Sequence, residues 1–197
     1  RDIIADNSLL LMAISRFGLP LRLANLPIDE VCRQTGRHTD TFLCVANMIS
    51  RRPYSPDCID LSALTDYLKQ AHTYFLGFCL PSIRRKLIAA IDFSAAHEVA
   101  PIIFRFFDQY VEEVRNHMDY EDRTLFGYID GLLAGQRTDS YNIDIFASHH
   151  DAIAMQLDRL KDVLIRYCPD GNADIINSVL FDIINCESDL ISHCEVE

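Results

Sequence analysis

The sequence predicts an all-α protein: an up-and-down four-helix bundle preceded by a small N-terminal helical domain. Three observations carry that prediction. Four long segments, at about 60–92, 98–133, 141–167 and 173–197, repeat apolar residues at alternating steps of three and four, the period of a helix face buried against neighbours. Their separators are short and hold Ser94, Gly135 and the pair Gly171-Asn172, as antiparallel neighbours require. No stretch alternates β-branched with polar residues over a useful length, so no strand is expected.

The N-terminal domain, residues 1–52, reads as short helices punctuated by glycine. NSLLLMAISRFG has a capping residue at Asn7 or Ser8 and a stop at Gly18; PIDEVCRQTG opens on Pro27 and stops at Gly36; TDTFLCVANMI opens on Thr39. The stretch RRPYSPD, 51–57, carries two prolines, breaks the helical period and is the expected linker to a bundle at 58–197. Pro81 lies inside the first bundle helix and should kink or split it, because it lacks an N–H and its ring crowds the preceding turn.

Composition narrows the function. The chain has 197 residues, 49% of them hydrophobic and 24% charged, enough for one ordinary buried core. A net charge of −11 argues against nucleic-acid binding, since only Arg51-Arg52 and Arg84-Arg85-Lys86 are locally basic. The helix-turn-helix look of 28–49 therefore weighs little. Seven cysteines form an odd set without a CxxC pair, which favours a reducing cytoplasm over a disulfide framework or thiolate zinc site. No apolar run reaches the roughly 20 residues of a membrane span.

Histidines stand on the helix seams. The stripes run Leu64, Leu68, His72, Phe75, Cys79; then Ile103, Phe107, Tyr110, Val114, His117, Glu121; then Ile143, Phe146, His150, Ile153, Leu157, Leu160, Leu164; then Val179, Ile183, Cys186, Leu190, His193, Glu197. EVRNHMDYE and DLISHCEVE, 76 residues apart, write the same ladder of acid, histidine and glutamate at four-residue steps. In antiparallel neighbours two residues are level when they are equidistant from the turn. The midpoints of 72 and 117, of 121 and 150, and of 150 and 193 fall at 94.5, 135.5 and 171.5, each on an expected turn. Four histidines and two glutamates should therefore share one layer of the core.

Residues four apart on a helix share a face, so His117 with Glu121, and His193 with Glu197, can grip one centre. Bare carboxylates in a core cost several kcal/mol each, and a metal removes that cost. Imidazole and carboxylate donors without thiolate suit iron, manganese or zinc, and six such ligands exceed one tetrahedral zinc, which points to two bridged metals. Glu113 and Asp189, one turn before their histidines, are placed to orient metal-bound imidazoles. Cys79, Cys186 and the aromatics Phe75, Phe107, Phe146 and Tyr110 read as core packing, Cys194 as off the seam, and His38 and His97 as solvated turn residues.

Here the residues resemble a family. His72, the HMDYE at 117, the HHD at 149 and the HCEVE at 193 look like the hemerythrin-like HHE repeat. With the N-terminal helical domain and the LP inside the first bundle helix, the layout resembles the RIC (repair of iron centres) di-iron family. The resemblance implies a carboxylate-bridged, non-haem di-iron centre held by His72, His117, His150, His193, Glu121 and Glu197. It implies repair of iron–sulfur centres or iron delivery under nitrosative and oxidative stress. The alternative is a sensor of oxygen, nitric oxide or redox state whose output domain lies beyond Glu197. Oxygen carriage is the weaker reading, since no seam position offers the fifth histidine that oxygen-carrying relatives use. Expected partners are iron–sulfur proteins or a regulatory domain, with O2 and NO at the metals; a homodimer is compatible. The family's N-terminal domain often has a vicinal cysteine pair where this chain has only Cys32, which puts thiol chemistry there in doubt.

Overall fold

A computed structural model describes residues 4–5, 7–23, 25–91, 100–136, 150–167 and 173–197, without the side chains of 150–156 and 167. The expected turn residues Ser94, Gly171 and Asn172, together with His97, His149 and Phe146, lie outside the described residues. Among the described residues there is no strand. The helices are α1 (Leu10–Arg16), α2 (Ile28–Thr35), α3 (Thr39–Ile49), α4 (Leu61–Tyr74), α5 (Leu80–Ala90), α6 (Ala100–Tyr120), α7 (Phe126–Leu133), α8 (His150–Tyr167) and α9 (Ala173–Val196). They divide into two compact units, Arg1–His72 with Ser192–Glu197, and Thr73–Ile191.

In the first unit the chain is turned by residues the sequence singles out. The Asn7 side-chain oxygen accepts from the Leu9 amide at 3.0 Å at the start of α1. Gly18 and Gly36 end α1 and α2 at φ of 67° and 66°, and the Arg37 amide reaches back to the Cys32 carbonyl at 2.9 Å to close the end of α2. A Cβ on Gly36 would meet no atom within 4 Å. Gly36→Ala is thus expected to cost about 1 kcal/mol from the left-handed backbone alone. The check is a lower urea midpoint at unchanged slope; an unmoved midpoint would contradict the assigned turn.

Phe17 is the hub of this unit, packing edge-on against Phe42 at 5.3 Å and tilted against Tyr67 at 4.9 Å. Arg16 is buried with its guanidinium 5.8 Å from the Tyr67 ring centroid. The buried Thr41 hydroxyl accepts from the Asp60 amide at 2.9 Å, and the Asp60 carboxylate accepts from the Ala63 amide at 2.8 Å, which seats the start of α4. Cys32 is fully buried and its thiol is pushed up by desolvation, so it presents no accessible thiolate. His38 is exposed, as expected of a turn residue, and its ring hydrogen-bonds the Thr41 hydroxyl.

The second unit is a closed ring of helices. Arg84 of α5 makes paired hydrogen bonds to Asp108 of α6 at 2.6 and 2.9 Å. Helix α8 packs along α6. Lys161 of α8 meets Glu187 of α9 at 2.6 Å, and Lys86 of α5 meets Asp182 of α9 at 2.6 Å. Neighbours in sequence are therefore neighbours in space, and the first and last helices close the ring, the topology the sequence predicts. The pairs 84/108 and 161/187 have midpoints at 96 and 174, close to the expected turns. Inside the ring lie Leu80, Ile83 and Leu87, then Ile103, Phe107, Tyr110 and Val114, then Leu157, Leu160 and Leu164, then Val179, Ile183 and Leu190. These are largely the residues of the sequence stripes. Gly135, at φ 74°, ends the chain's second long helix at the expected place.

Pro81 splits its helix without breaking it. In an α-helix its missing N–H would leave the Gly77 carbonyl without a donor. The chain answers with one wide turn over Phe75–Cys79, in which the Leu80 amide donates to the Phe75 carbonyl, five residues back, before α5 resumes. A second wide turn, Glu121–Leu125, joins α6 to α7, with the Phe126 amide on the Glu121 carbonyl. No proline accompanies it, and nothing in the neighbouring sequence explains it.

Candidate metal centre

Two groups of expected ligands are formed, one in each unit. In the first, His72 near the end of α4 faces His193 on the last turns of α9. Their Nε2 atoms are 3.2 Å apart and the rings cross at 76°. Glu197 follows His193 by one helical turn, so its carboxylate returns to the same face: Oε1 is 2.7 Å from His193 Nε2 and 3.7 Å from His72 Nε2. The three side chains are 3%, 2% and 0% exposed for His72, His193 and Glu197. Each offers a ligand atom within 4.8 Å of the others. Separations of this size are those of adjacent donors around an ion bound at about 2.0–2.2 Å.

In the second unit, His117 Nε2 lies 2.8 Å from Glu121 Oε1, with side chains 13% and 0% exposed. The same i, i+4 spacing makes the pair. Val114 and Met118 bury the flanking positions, so the helix face that packs inward carries the polar residues with it. Both ligand-bearing regions adjoin the wide turns: one begins three residues after His72 and the other on Glu121 itself. Such turns are frequent at functional sites, because they offset the side chains that follow from the regular helical face. Apart from Pro81 in the first case, sequence periodicity carries no signal for them.

The remaining expected residues fall as follows. His150 is the first residue of α8, and its side chain lies outside the described residues. Asp189 is buried on α9, while Glu113 is half-buried and accepts from Gln109 at 3.2 Å. Cys186 is buried and Cys79 half-buried, and Cys194 is half-buried beside His193. Among the described residues the clustered donors are imidazole nitrogens and carboxylate oxygens, a fit for iron, manganese or zinc rather than a soft thiolate site.

A helical fold with buried histidine and glutamate donors at four-residue spacing is that of a cation-binding helical domain. A scan against protein-family models agrees, with the hemerythrin HHE cation binding domain matching residues 63–197, and the chain belongs to that family. A search of curated proteins and a search of solved structures gave no match. No helix among the described residues is long and apolar enough to cross a membrane.

Proposed function

We propose that the protein holds a non-haem di-iron centre, with His72, His117, His150 and His193 as nitrogen ligands and Glu121 and Glu197 as bridging carboxylates. The observation that carries this reading is the buried His72–His193–Glu197 triad, whose donors lie at ligand spacing and whose chemistry fits iron. The His117–Glu121 pair repeats half of that arrangement, and the family match spans all six residues. Manganese and zinc accept the same donors, and metal analysis separates the three.

The chain's own residues set what such a centre does. Glu121 and Glu197, fully buried, offset cationic charge and limit water at the metals. His117, the most exposed of the described ligands, marks the side at which a small molecule or a departing ion has access. Glu113 and Asp189 orient the imidazoles of their helices. Bound iron supplies a Lewis-acidic, redox-active centre with affinity for O2 and NO, and in delivery it is also the cargo.

On this basis the activity is repair of iron–sulfur centres or iron delivery under nitrosative and oxidative stress, in the cytoplasm, with iron–sulfur proteins as partners. The test is anaerobic transfer from the iron-loaded chain to an apo iron–sulfur protein. Cluster content is expected to exceed that given by the same amount of free ferrous iron; no gain would overturn the repair reading. A second reading, a sensor of oxygen, nitric oxide or redox state acting on a regulatory domain, is favoured by one observation. His72, His193 and Glu197 fold in the same compact unit as the N-terminal helices, so a change at the metals bears directly on those helices.

A further inference from the structure

The cysteines of the first and fourth bundle helices meet. Lys86 of α5 reaches both Asp182, at 2.6 Å, and Ser178, at 3.1 Å, on the antiparallel α9. Seven residues before Lys86 stands Cys79, at the end of the first wide turn, and seven residues after Ser178 and Asp182 lie positions 185 and 189, which bracket Cys186. The register set by the lysine thus brings Cys79 level with Cys186, and the two thiols are hydrogen-bonded to one another. The Tyr74 hydroxyl is hydrogen-bonded to Cys79 as well, and Asp189 and Asp182 are the nearby acids. Cys79 is half-buried, open to a small reagent, whereas Cys186 is buried beneath it.

We propose that Cys79 and Cys186 form a reversible dithiol–disulfide site that cross-links the first and fourth bundle helices when a peroxide oxidises it. Thiols brought level on adjacent antiparallel helices are placed to close to the bonded separation of about 2.05 Å. The hydrogen bond from Cys186, assisted by that from Tyr74, outweighs burial and holds the Cys79 thiol below the ordinary thiol range, which favours Cys79 as the attacking sulfur. Its thiolate attacks one oxygen of hydrogen peroxide, breaking the O–O bond to give a sulfenic acid and hydroxide. The Cys186 sulfur then attacks the sulfenic sulfur, the S–S bond forms, and water leaves with the Cys186 proton. Two thiols give up two electrons in all, and one peroxide becomes two waters.

This site is independent of the metal assignment: it uses none of the proposed ligands. Its place gives it a consequence, since it lies seven residues after His72 on one helix and seven before His193 on the other. The experiment is titration of the full wild-type chain with one equivalent of hydrogen peroxide, alkylation of remaining thiols, and peptide mass spectrometry. The expected result is a cross-linked peptide joining Cys79 and Cys186, about 2 Da lighter than the two thiol peptides together and separated again by dithiothreitol. Cys186→Ala should leave Cys79 carrying sulfenic acid, trapped by dimedone, with no cross-link. Alkylation of both Cys79 and Cys186 after peroxide treatment of the wild type, or sulfinic acid at Cys79 without a cross-link, would overturn the proposal.

Discussion

With the proposed di-iron centre, replacing Glu121 or His193 by alanine is expected to take bound iron from about two ions per chain to fewer than one, measured by metal analysis of anaerobically purified protein. Each substitution removes a donor that i, i+4 geometry has already aligned with a second one, so it disrupts a chelating pair. His193 is the more telling of the two. It lies 3.2 Å from His72 and 2.7 Å from Glu197, so its loss leaves those two side chains without the imidazole that joins them. The loss of metal should come with the loss of visible and near-ultraviolet absorption from air-oxidised iron, while helical circular dichroism persists. Iron retained at wild-type level in both variants would defeat the assignment of these residues as ligands.

The second large effect concerns stability and changes sign with the metal. Glu121 and Glu197 have no exposed side-chain surface. An ionised carboxylate at such a site costs several kcal/mol unless it is compensated, and a metal ion compensates it directly. Stripping the metal anaerobically with a chelator is therefore expected to lower Tm by about 10 °C or more, since each kcal/mol shifts Tm by about 2–4 °C at this size. The double variant Glu121→Gln with Glu197→Gln keeps the shape and removes the charge. With iron present it should melt well below the wild type, because it binds the metal poorly; in the metal-free state it should melt at or above the wild type. A lower Tm for the variant in both states would mean that the glutamates serve a metal-free hydrogen-bond network instead.

The cysteines show how context changes a residue's meaning. Read as a stripe, Cys79 and Cys186 are small core residues, and burial of Cys186 agrees with that. Only the packing of one helix against another shows that they touch. Cys32, by contrast, is completely buried with a raised thiol, which argues against reactivity there.

From the sequence alone came the all-α class, the glycine stops at Gly18, Gly36 and Gly135, and the placing of His72, Glu121 and His193 on buried helix faces. Those features are local: a helix period and a left-handed glycine depend on residues within a turn or two of one another. The tertiary structure alone decided that His72 and His193 close to 3.2 Å, that Cys79 meets Cys186, and that wide turns follow His72 and open on Glu121. Turn positions set the height of one helix against another only to within a residue or two. The last few ångströms depend on how side chains interlock across helices, through contacts such as Lys86 with Asp182 and Phe17 with Tyr67, which join residues far apart in the chain.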